Sequence, residues 1–367
     1  MPLESAETRS GPLNGLRVVE FAGLGPAPFA CMLLADMGAQ VVTIQRPGVG
    51  PSDPKQIVNR GRIALEADLK SDAGREQVWQ LLDRADVVVE GFRPGVMERL
   101  GLGPDEAARR NPRLVYARMT GWGQDGPLAQ AAGHDINYIA LTGALHAIGP
   151  RERPVVPLNL VGDYGGGSLY LVVGVLAALH EARASGRGQV VDAAITDGVL
   201  SLMTHFATQA LRGAFNEERE SNVLDGGAPY YAVYETADGQ HLSVGAIEPQ
   251  FFAQLCKLVD LPQPLRAAQN DRGQWPALRE AMTAIFRSRS RDEWVSLLEG
   301  TDACVAPVLS LSEAGRHPHN ESRAAFVQVN GHTQPAPAPR FSRTPSQAHS
   351  PPTEVSQWER VVAGWRR

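Results

Sequence analysis

The sequence predicts an α/β protein: a large domain on an open, doubly wound parallel sheet, followed by a smaller α+β domain. The first third of the chain alternates between strand-like and helix-like segments, as parallel βαβ units do. The strand-like runs are residues 16–22, 41–45, 85–90 and 114–119. A helix is predicted over residues 29–37, and Gly38 ends it. An open sheet of this kind binds its ligand beyond the carboxyl ends of its strands.

The pattern changes in the second half of the chain. A long helix over residues 168–184 and a strand over 190–195 complete the first part. Two strands at 230–236 and 241–246 then flank an Ala-Asp-Gly-Gln turn, which predicts a hairpin, and three helical stretches follow. The predicted organisation is a large domain at 1–195, a linker at 196–225, a small α+β domain at 226–325 and a C-terminal segment at 326–367.

The composition is that of an ordinary globular chain. Of the 367 residues, 43% are hydrophobic and 20% are charged, which excludes a wholly disordered or fibrous protein. The net charge of −5 argues against nucleic-acid binding through a broad basic surface. An anionic ligand would therefore have to be held by particular arginine and lysine side chains.

Cysteine usage and hydropathy predict the compartment. Cys31, Cys256 and Cys304 form no C-x-x-C pair, which excludes a disulfide framework and fits a reducing environment. Residues 1–11 are polar, unlike a signal peptide. The longest uncharged apolar run, residues 169–179, is shorter than the roughly 20 residues of a membrane span. We therefore expect a cytoplasmic protein without a membrane span.

Gly23 and Gly25 follow the first strand and precede a helix, as in a dinucleotide-binding turn. Pro28 takes the place of the third glycine, and the second strand ends near Arg46 where an acidic residue should meet the ribose. These departures disfavour a nicotinamide-dependent oxidoreductase. Arg46 would suit a phosphorylated adenosine, as in NADP or coenzyme A, and the alternative is a solvated arginine at a strand end.

Two polar clusters beside glycines are candidate catalytic sites. Residues 133–138 read Gly-His-Asp-Ile-Asn-Tyr, and their structural alternative is a helix start capped by Asp135 with His134 in a structural role. Residues 162–167 place Asp163 before three consecutive glycines and a helix. Asp163 is either a cap or a catalytic carboxylate. The glycines favour function, because they would let backbone N–H groups face a ligand at a helix start.

The remaining polar motifs favour structural roles when taken alone. Glu248 directly precedes Pro249 and could simply cap a helix. His317 and His319 have a metal-like spacing, but the intervening Pro318 favours a surface turn. The sequence contains no H-E-x-x-H, G-x-S-x-G or P-loop motif, so we predict neither a metal site nor serine-hydrolase chemistry.

A resemblance to a known family rests on segments that run almost from end to end. The most specific segments are GHDINY at 133–138, GAIEPQF at 245–251 and GTDAC at 300–304. In these segments the chain resembles the α-methylacyl-CoA racemases, within the family III CoA-transferase superfamily. The other matching segments are 15–42, 67–70, 90–104, 111–127, 158–167, 226–231, 236–240 and 305–309.

The resemblance implies proton transfer at the α-carbon of a 2-methylacyl-CoA, through an enolate-like intermediate. His134 would serve the S epimer and Asp163 the R epimer, while Glu248 would orient His134. As a proton donor Asp163 needs a raised pKa, and nearby backbone N–H groups could stabilise the enolate oxygen. Because the thioester carbonyl acidifies the α-carbon, we expect no cofactor and no metal.

The resemblance also assigns contacts to the coenzyme A part of the substrate. Arginines would meet its phosphates or adenine, residues 67–70 and 91–93 would line its path, and residues 133–138 would close over the thioester. The implied binding residues are Arg46, Ala67, Asp68, Leu69, Lys70, Gly91, Phe92, Arg93, Arg99, Gly133, His134, Asp135, Ile136, Asn137 and Tyr138.

The family architecture adds expectations about assembly. It implies a Rossmann-like large domain completed by the C-terminal segment, a smaller α+β domain, and an interlocked homodimer. Glu248 would then come from the partner chain to complete the site made by His134 and Asp163. The implied role is in fatty acid and lipid metabolism, and no residue fixes which 2-methylacyl chain is used.

The sequence leaves two alternative functions open. In a CoA-transferase of the same superfamily, Asp163 would attack the thioester and form a mixed anhydride. That reaction has no use for two acid–base groups across the α-carbon, so His134 and Glu248 favour the racemase. A non-catalytic acyl-CoA-binding protein would keep Arg46 and Arg93, but it would not need all three candidate catalytic residues.

Overall fold

The structure is a computed structural model and describes residues 9–365; residues 1–8, most of the polar start, and 366–367 lie outside this range. The chain divides into two compact units. Unit 1 comprises the residues up to Ala144, Pro157–Thr204 and the residues from His319 onward, and unit 2 comprises Leu145–Val156 and His205–Pro318. Residues 145–156 of the predicted large domain thus belong to unit 2, and the predicted linker at 196–225 is divided between the units.

The strands of the described range are β1 (Arg17–Phe21), β2 (Gln40–Gln45), β3 (Arg62–Glu66), β4 (Val87–Glu90), β5 (Val115–Thr120), β6 (Val190–Ala194), β7 (Tyr231–Glu235), β8 (His241–Gly245), β9 (Val305–Pro307), β10 (Phe326–Val329) and β11 (His332–Pro335). In unit 1, β1 to β6 form a parallel sheet in the order β3-β2-β1-β4-β5-β6. The predicted α/β fold on a parallel sheet is confirmed.

The α-helices are α1 (Pro26–Asp36), α2 (Asp72–Leu82), α3 (Val96–Arg99), α4 (Pro104–Arg110), α5 (Asp135–Leu141), α6 (Ala144–Ala147), α7 (Tyr170–Ser185), α8 (Ile195–Leu202), α9 (Thr204–Leu211), α10 (Pro249–Leu258), α11 (Trp275–Phe286), α12 (Arg291–Leu298), α13 (Leu311–Ala314), α14 (Pro318–Ser322) and α15 (Trp358–Gly364). Short 3₁₀ turns lie at Ile57–Asn59, Gln263–Leu265 and Arg272–Gln274.

The sequence pattern does not predict β3, because Arg62 and Glu66 enclose only three apolar residues. In the structure Arg62 is buried, and its Nε lies 2.8 Å from Oε2 of the equally buried Glu20. Thr43 donates a second hydrogen bond to the same carboxylate oxygen at 2.6 Å. A buried charge is tolerated when it is paired and hydrogen-bonded in this way.

A π-helical segment, Leu160–Leu169, precedes α7 where the sequence predicts a glycine-rich helix start. The two form one helical run, Leu160–Ser185, whose most apolar window has a mean hydropathy of 1.4. By length and composition alone this run could cross a membrane, but core helices pass the same test. Here the run packs on β5, β6 and α8, which makes it weak grounds for a membrane span.

The C-terminal segment is part of unit 1. Trp365 is fully buried in one face of the sheet core, next to Val361 and α2. The indole N–H of Trp358 donates to the carbonyl oxygen of Glu66 at 2.8 Å. Val355 forms a bridge with Ala64, so the tail extends the edge of the sheet beside β3.

Unit 2 is built on the antiparallel sheet β7-β8-β9. The predicted hairpin is confirmed, with Glu235 opposite His241 at its turn, and β9 is a further strand that the sequence pattern does not predict. Its core is rich in aromatic rings, among them Phe286, which lies 5.0 Å from Tyr234 and 5.3 Å from Trp294 between ring centroids.

Candidate active site

A cavity of about 530 Å³ opens in unit 1 at the carboxyl ends of the central strands. The order of the sheet reverses between β1 and β4, and ligands of open α/β sheets bind at such a reversal. The loop after β1 leads into α1, whose positive N-terminal end borders the cavity. The lining residues are 23–27, 91–94, 119–122 and 131–134, with Ala129, Tyr138, Asp163 and Ile195.

A second cavity of about 800 Å³ lies beside the first. The two share Gly23, Leu24 and Phe92 as wall residues, so a long ligand could extend from one into the other. The second cavity is lined by the ends of β2 and β3 and by the loop that joins them. A pair of cavities of this size is large enough for a ligand with a bulky head and a long arm.

His134 is placed at the wall of the first cavity by the start of α5. It is the N-cap residue, its backbone N–H donates to Oδ1 of Asn137 at 3.0 Å, and its side chain is exposed. The alternative in which Asp135 caps this helix is wrong, because Asp135 is the first helical residue. An exposed imidazole at a cavity wall is accessible for proton transfer.

Asp163 reaches the same cavity from the π-helical segment. Its side chain lies against Gly25, where an added Cβ would be 3.2 Å from Asp163 Oδ2. Gly25 has a φ of 74°, a conformation that favours glycine, and it precedes Pro26 at the start of α1. The start of α1 and the π-helical segment therefore meet at this carboxylate, and π-helical segments are frequent at functional sites.

The environment of Asp163 disfavours its ionised form. Burial raises the pKa of the Asp163 carboxyl, and the negative charge of Asp135 raises it further. A hydrogen bond from Asn159 and the positive charge of protonated His134 act in the opposite direction, and the net effect is a raised pKa. Asp163 and His134 are thus near enough to interact electrostatically.

The backbone around Asp163 corrects one expectation. Its own N–H donates to Oδ2 of Asp135 at 2.7 Å, and the N–H of Tyr164 donates to the carbonyl of Asn159 at 3.2 Å. These two groups are occupied and do not serve as donors to an enolate oxygen. The glycines that follow serve helix packing instead, since an added Cβ at Gly166 would lie 2.8 Å from the backbone nitrogen of Val199.

Tyr138 closes the cavity on the α5 side. Its hydroxyl donates to the carbonyl of Gly133, and its ring stands edge-on to that of Trp122 at 4.7 Å between centroids. Burial raises the pKa of the Tyr138 hydroxyl, and the charge of Asp163 adds to this effect. Tyr138 therefore stays neutral near pH 7 and acts as a wall and a hydrogen-bonding group.

Glu248 belongs to unit 2, whereas His134 and Asp163 belong to unit 1. It is the exposed N-cap residue of α10, and its side chain makes no capping hydrogen bond within the described chain. Glu248 therefore occupies the N-cap position that the structural alternative predicts, but without a capping hydrogen bond from its side chain. Its carboxylate is near enough to Cys304 to raise the pKa of that thiol, although burial is the larger cause.

The structure distributes the predicted coenzyme A contacts over both cavities. Six of them line the second cavity: Arg46, Ala67, Asp68, Leu69, Lys70 and Phe92. Phe92 also lines the first cavity, together with Gly91, Arg93, Gly133, His134 and Tyr138. Four predicted residues line neither cavity, namely Arg99, Asp135, Ile136 and Asn137.

Three cationic side chains of the two cavities, Arg46, Lys70 and Arg93, are exposed and unpaired within the described residues. Arg46, Lys70 and Arg93 take part in none of the ion pairs found between residues 9 and 365. In contrast, Arg60, Arg62 and Arg118 are all bound to carboxylates. Unpaired cations at a cavity wall are available to anionic groups such as phosphates.

Several lining residues escape the sequence analysis. Trp122 and the neighbouring Gly121 directly follow β5, and Ile195 directly follows β6. Their signal is position, since residues that follow parallel strands meet at one edge of the sheet. Leu24 lines both cavities and is 93% exposed. It lies between Gly23 and Gly25, but nothing in the sequence distinguishes it from other leucines.

Comparisons with known proteins agree with this architecture. Residues 13–356 match the family model of CoA-transferase family III. The chain is 45% identical over 337 residues to the alpha-methylacyl-CoA racemase of Mus musculus and 42% identical over 336 residues to that of Homo sapiens. Each alignment covers 91% of this chain and 87% of the relative. A solved CAIB/BAIF family protein from Brucella suis shares the fold, with a TM-score of 0.83 at 24% identity, covering 98% of this chain and 100% of that one.

Proposed function

Because the chain belongs to CoA-transferase family III, we propose that it is a racemase that interconverts the R and S epimers of 2-methylacyl-CoA thioesters. The observation that carries this proposal is the meeting of His134 and Asp163 at one cavity, with the Asp163 carboxyl biased toward its protonated form. Relatives named alpha-methylacyl-CoA racemase, at 45% and 42% identity, support the same reaction.

The reaction needs one group that removes the α-proton and another that returns a proton to the opposite face. His134 removes the proton from the S epimer, and Asp163 then donates a proton to the enolate-like intermediate to give the R epimer. In the reverse direction the roles exchange. The positive end of α1 borders the cavity and favours the negative charge that develops on the thioester oxygen.

The raised pKa of the Asp163 carboxyl favours this reaction over CoA transfer. A transferase needs Asp163 as an ionised nucleophile, whereas a racemase acting on the S epimer needs it as an acid. Burial and the charge of Asp135 both favour the acid form. The thioester itself acidifies the α-carbon, so we propose that the enzyme works without a metal or a redox cofactor.

The second cavity is the proposed site for the coenzyme A part of the substrate. Arg46 and Lys70 are suited to its phosphates because they are exposed and form no ion pair within the described chain. Arg93 is suited to the part nearer the thioester, since it lines the first cavity. We retain Arg99 only as a peripheral phosphate contact.

We propose that the active enzyme is an interlocked homodimer in which Glu248 of one chain orients His134 of the other. Large apolar side chains on α5, α7, α8 and the π-helical segment are exposed in the single chain, which supports a covering second copy. They include Leu141, Leu160, Leu169, Val173, Leu200 and Leu202. We further propose a cytoplasmic role in fatty acid and lipid metabolism.

The first experiment follows the α-proton by NMR in heavy water, with one epimer of a 2-methylacyl-CoA and no second acid. We expect the α-proton signal to disappear while both epimers form. If no exchange occurs, and a new thioester forms once a free carboxylic acid is added, Asp163 is a nucleophile and the protein is a transferase.

Replacing His134 tests the assignment of the two acid–base groups. We expect His134→Ala to abolish α-proton exchange from the S epimer and to leave coenzyme A binding nearly intact. His180→Ala, which changes an exposed histidine of α7 outside both cavity walls, is the matched control. Full exchange from both epimers in His134→Ala would overturn the assignment.

Subunit complementation tests the origin of Glu248. Asp163→Asn and Glu248→Gln chains are co-expressed with different tags, and the mixed dimers are purified. If Glu248 acts across the dimer, one of the two sites in a mixed dimer is intact, and activity returns to about half of that of the unmodified dimer. If Glu248 acts within its own chain, no site is intact and activity stays low.

A further inference from the structure

A buried carboxylate lies directly behind the proposed acid. Asp135 is 8% exposed, and its Oδ2 accepts the backbone N–H of Asp163 at 2.7 Å. Its other oxygen, Oδ1, is buried and has no hydrogen-bond partner among residues 9–365. A buried carboxylate that is only half satisfied costs stability, so its presence beside the reacting group points to a role in the chemistry.

The local sequence makes room for this contact. An added Cβ at Gly162 would lie 2.2 Å from Asp135 Oδ2, so a side chain at that position would push the carboxylate away. The same Cβ would meet Ile139 of α5 at 3.0 Å. The glycine before Asp163 therefore lets α5 and the π-helical segment approach closely enough for the Asp135–Asp163 hydrogen bond.

We propose that Asp135 is a positioning residue for Asp163, an inference that rests on the proposed racemase function. Its carboxylate fixes the backbone from which the Asp163 side chain projects, and its negative charge favours the proton-donating form of the Asp163 carboxyl. The Asp135 residue lines neither cavity, so the proposed effect of its side chain is exerted through Asp163.

The electrostatics around Asp163 agree with this inference. Within the described range, the charges that act on its carboxyl are those of Asp135 and His134, and Tyr138 lies beside it as a neutral group. The other elements packed on the segment, α1, α7, α8, β5 and β6, contribute no further charge among these causes. Asp135 is thus the one negative charge among the groups that set the proton affinity of Asp163.

The test is the pH dependence of deuterium exchange from each epimer, measured as kcat/KM. Exchange from the R epimer needs ionised Asp163, so the acidic limb of its profile reports that group in the free enzyme. In Asp135→Asn we expect this limb to move to lower pH by about one unit, because the amide keeps an acceptor oxygen but loses the charge. The limb for the S epimer, which reports His134, should move less.

A matched control and a second variant complete the design. Asp192 also accepts a backbone N–H, that of Gln124 at 3.1 Å, but its charge does not act on Asp163. Asp192→Asn should leave both limbs in place. Asp135→Ser removes the same charge with a smaller side chain and should reproduce the shift of Asp135→Asn if that variant folds poorly.

The outcomes separate this inference from the proposed function. If the unmodified enzyme exchanges neither epimer, the racemase proposal fails whatever Asp135 does. If it exchanges both, but folded Asp135 variants lower the rates without moving the R-epimer limb, Asp135 is merely structural and the inference is overturned. In the unmodified protein, the carbon-13 carboxyl signal that Asp163→Asn removes should titrate above the usual aspartate range, and titration near pH 4 or below would also overturn it.

Discussion

Asp163 and Glu248 are both carboxylates of the proposed site, but they differ in burial and in the contacts that their own chain gives them. Asp163 is partly buried, its backbone N–H is bound by Asp135, and its side chain lies against Gly25 at the start of α1. Glu248 is exposed at the start of α10 in the other unit and makes no capping hydrogen bond within the described chain. One chain therefore sets the proton affinity of Asp163, whereas it leaves the surroundings of Glu248 open to a partner.

The difference follows from packing. The π-helical segment that carries Asp163 is packed against α8, so closely that an added Cβ at Gly198 would lie 1.9 Å from the carbonyl oxygen of Gly166. Such close packing restrains the backbone that carries the proposed proton donor. Glu248 has no comparable support in its own unit, so its orientation depends on the group that it contacts.

The largest expected effect is the loss of racemisation when Asp163 is replaced. Asp163→Asn cannot accept or donate the transferred proton, and we expect racemisation to fall by about 10³-fold. Steady-state racemisation and coenzyme A binding are measured on the same preparation. Loss of binding together with activity would show a folding defect, and retained activity would contradict the role of Asp163.

Gly198→Ala is expected to loosen the packing that holds Asp163. The added methyl group meets a backbone carbonyl that cannot move freely, so we expect a loss of about 1–3 kcal/mol in the free energy of unfolding. Urea unfolding measures the change. Gly364→Ala, at a position where an added Cβ meets nothing within 4 Å, is the control. Equal stability of the two variants would refute the packing argument.

Glu248→Gln is expected to lower exchange from the S epimer more than exchange from the R epimer. Loss of a charge-assisted hydrogen bond to His134 should lower exchange from the S epimer by about 10–100-fold and change exchange from the R epimer less. Deuterium exchange from each epimer measures this asymmetry. An equal loss for both epimers would mean that Glu248 does not act through His134.

The smallest expected effect concerns stability and pH. The pKa of Asp163 is raised by folding, so the folded state binds this proton more tightly than the unfolded chain does. The stability that the protonated group contributes is therefore fully present below the unfolded pKa, near 3.9, and is lost as the pH rises through the folded pKa. Relative to the unmodified protein at the same pH, Asp163→Asn should then be more stable at pH 7 than at pH 3.5. Thermal unfolding of both proteins at the two pH values measures this difference. The opposite trend would show that the fold favours the ionised carboxylate.

Local sequence patterns are sufficient to predict much of the fold. The apolar runs that become β1, β2, β4 and β5 stand between turn residues and are recognisable alone, as is the hairpin of β7 and β8. The edge strand β3 was not recognisable, because its charged ends become compatible with a sheet only when Glu20 pairs with Arg62. The π-helical segment is likewise not predictable from local sequence, since its glycines let it approach α8 closely.

The candidate site also has features that the sequence predicts and features that depend on tertiary contacts. The sequence by itself, through its resemblance to the racemases, predicted which residues carry the chemistry: His134, Asp163 and Glu248. Only the tertiary structure decided how these residues are placed. It brings His134 and Asp163 to one cavity and lets Asp135 bind the backbone of Asp163. It also makes Leu24 and Trp122 part of the cavity wall. The physical reason is that residue identity sets what a group can do, whereas burial, neighbouring charge and hydrogen bonding set its protonation state. Those conditions arise between segments far apart in the chain.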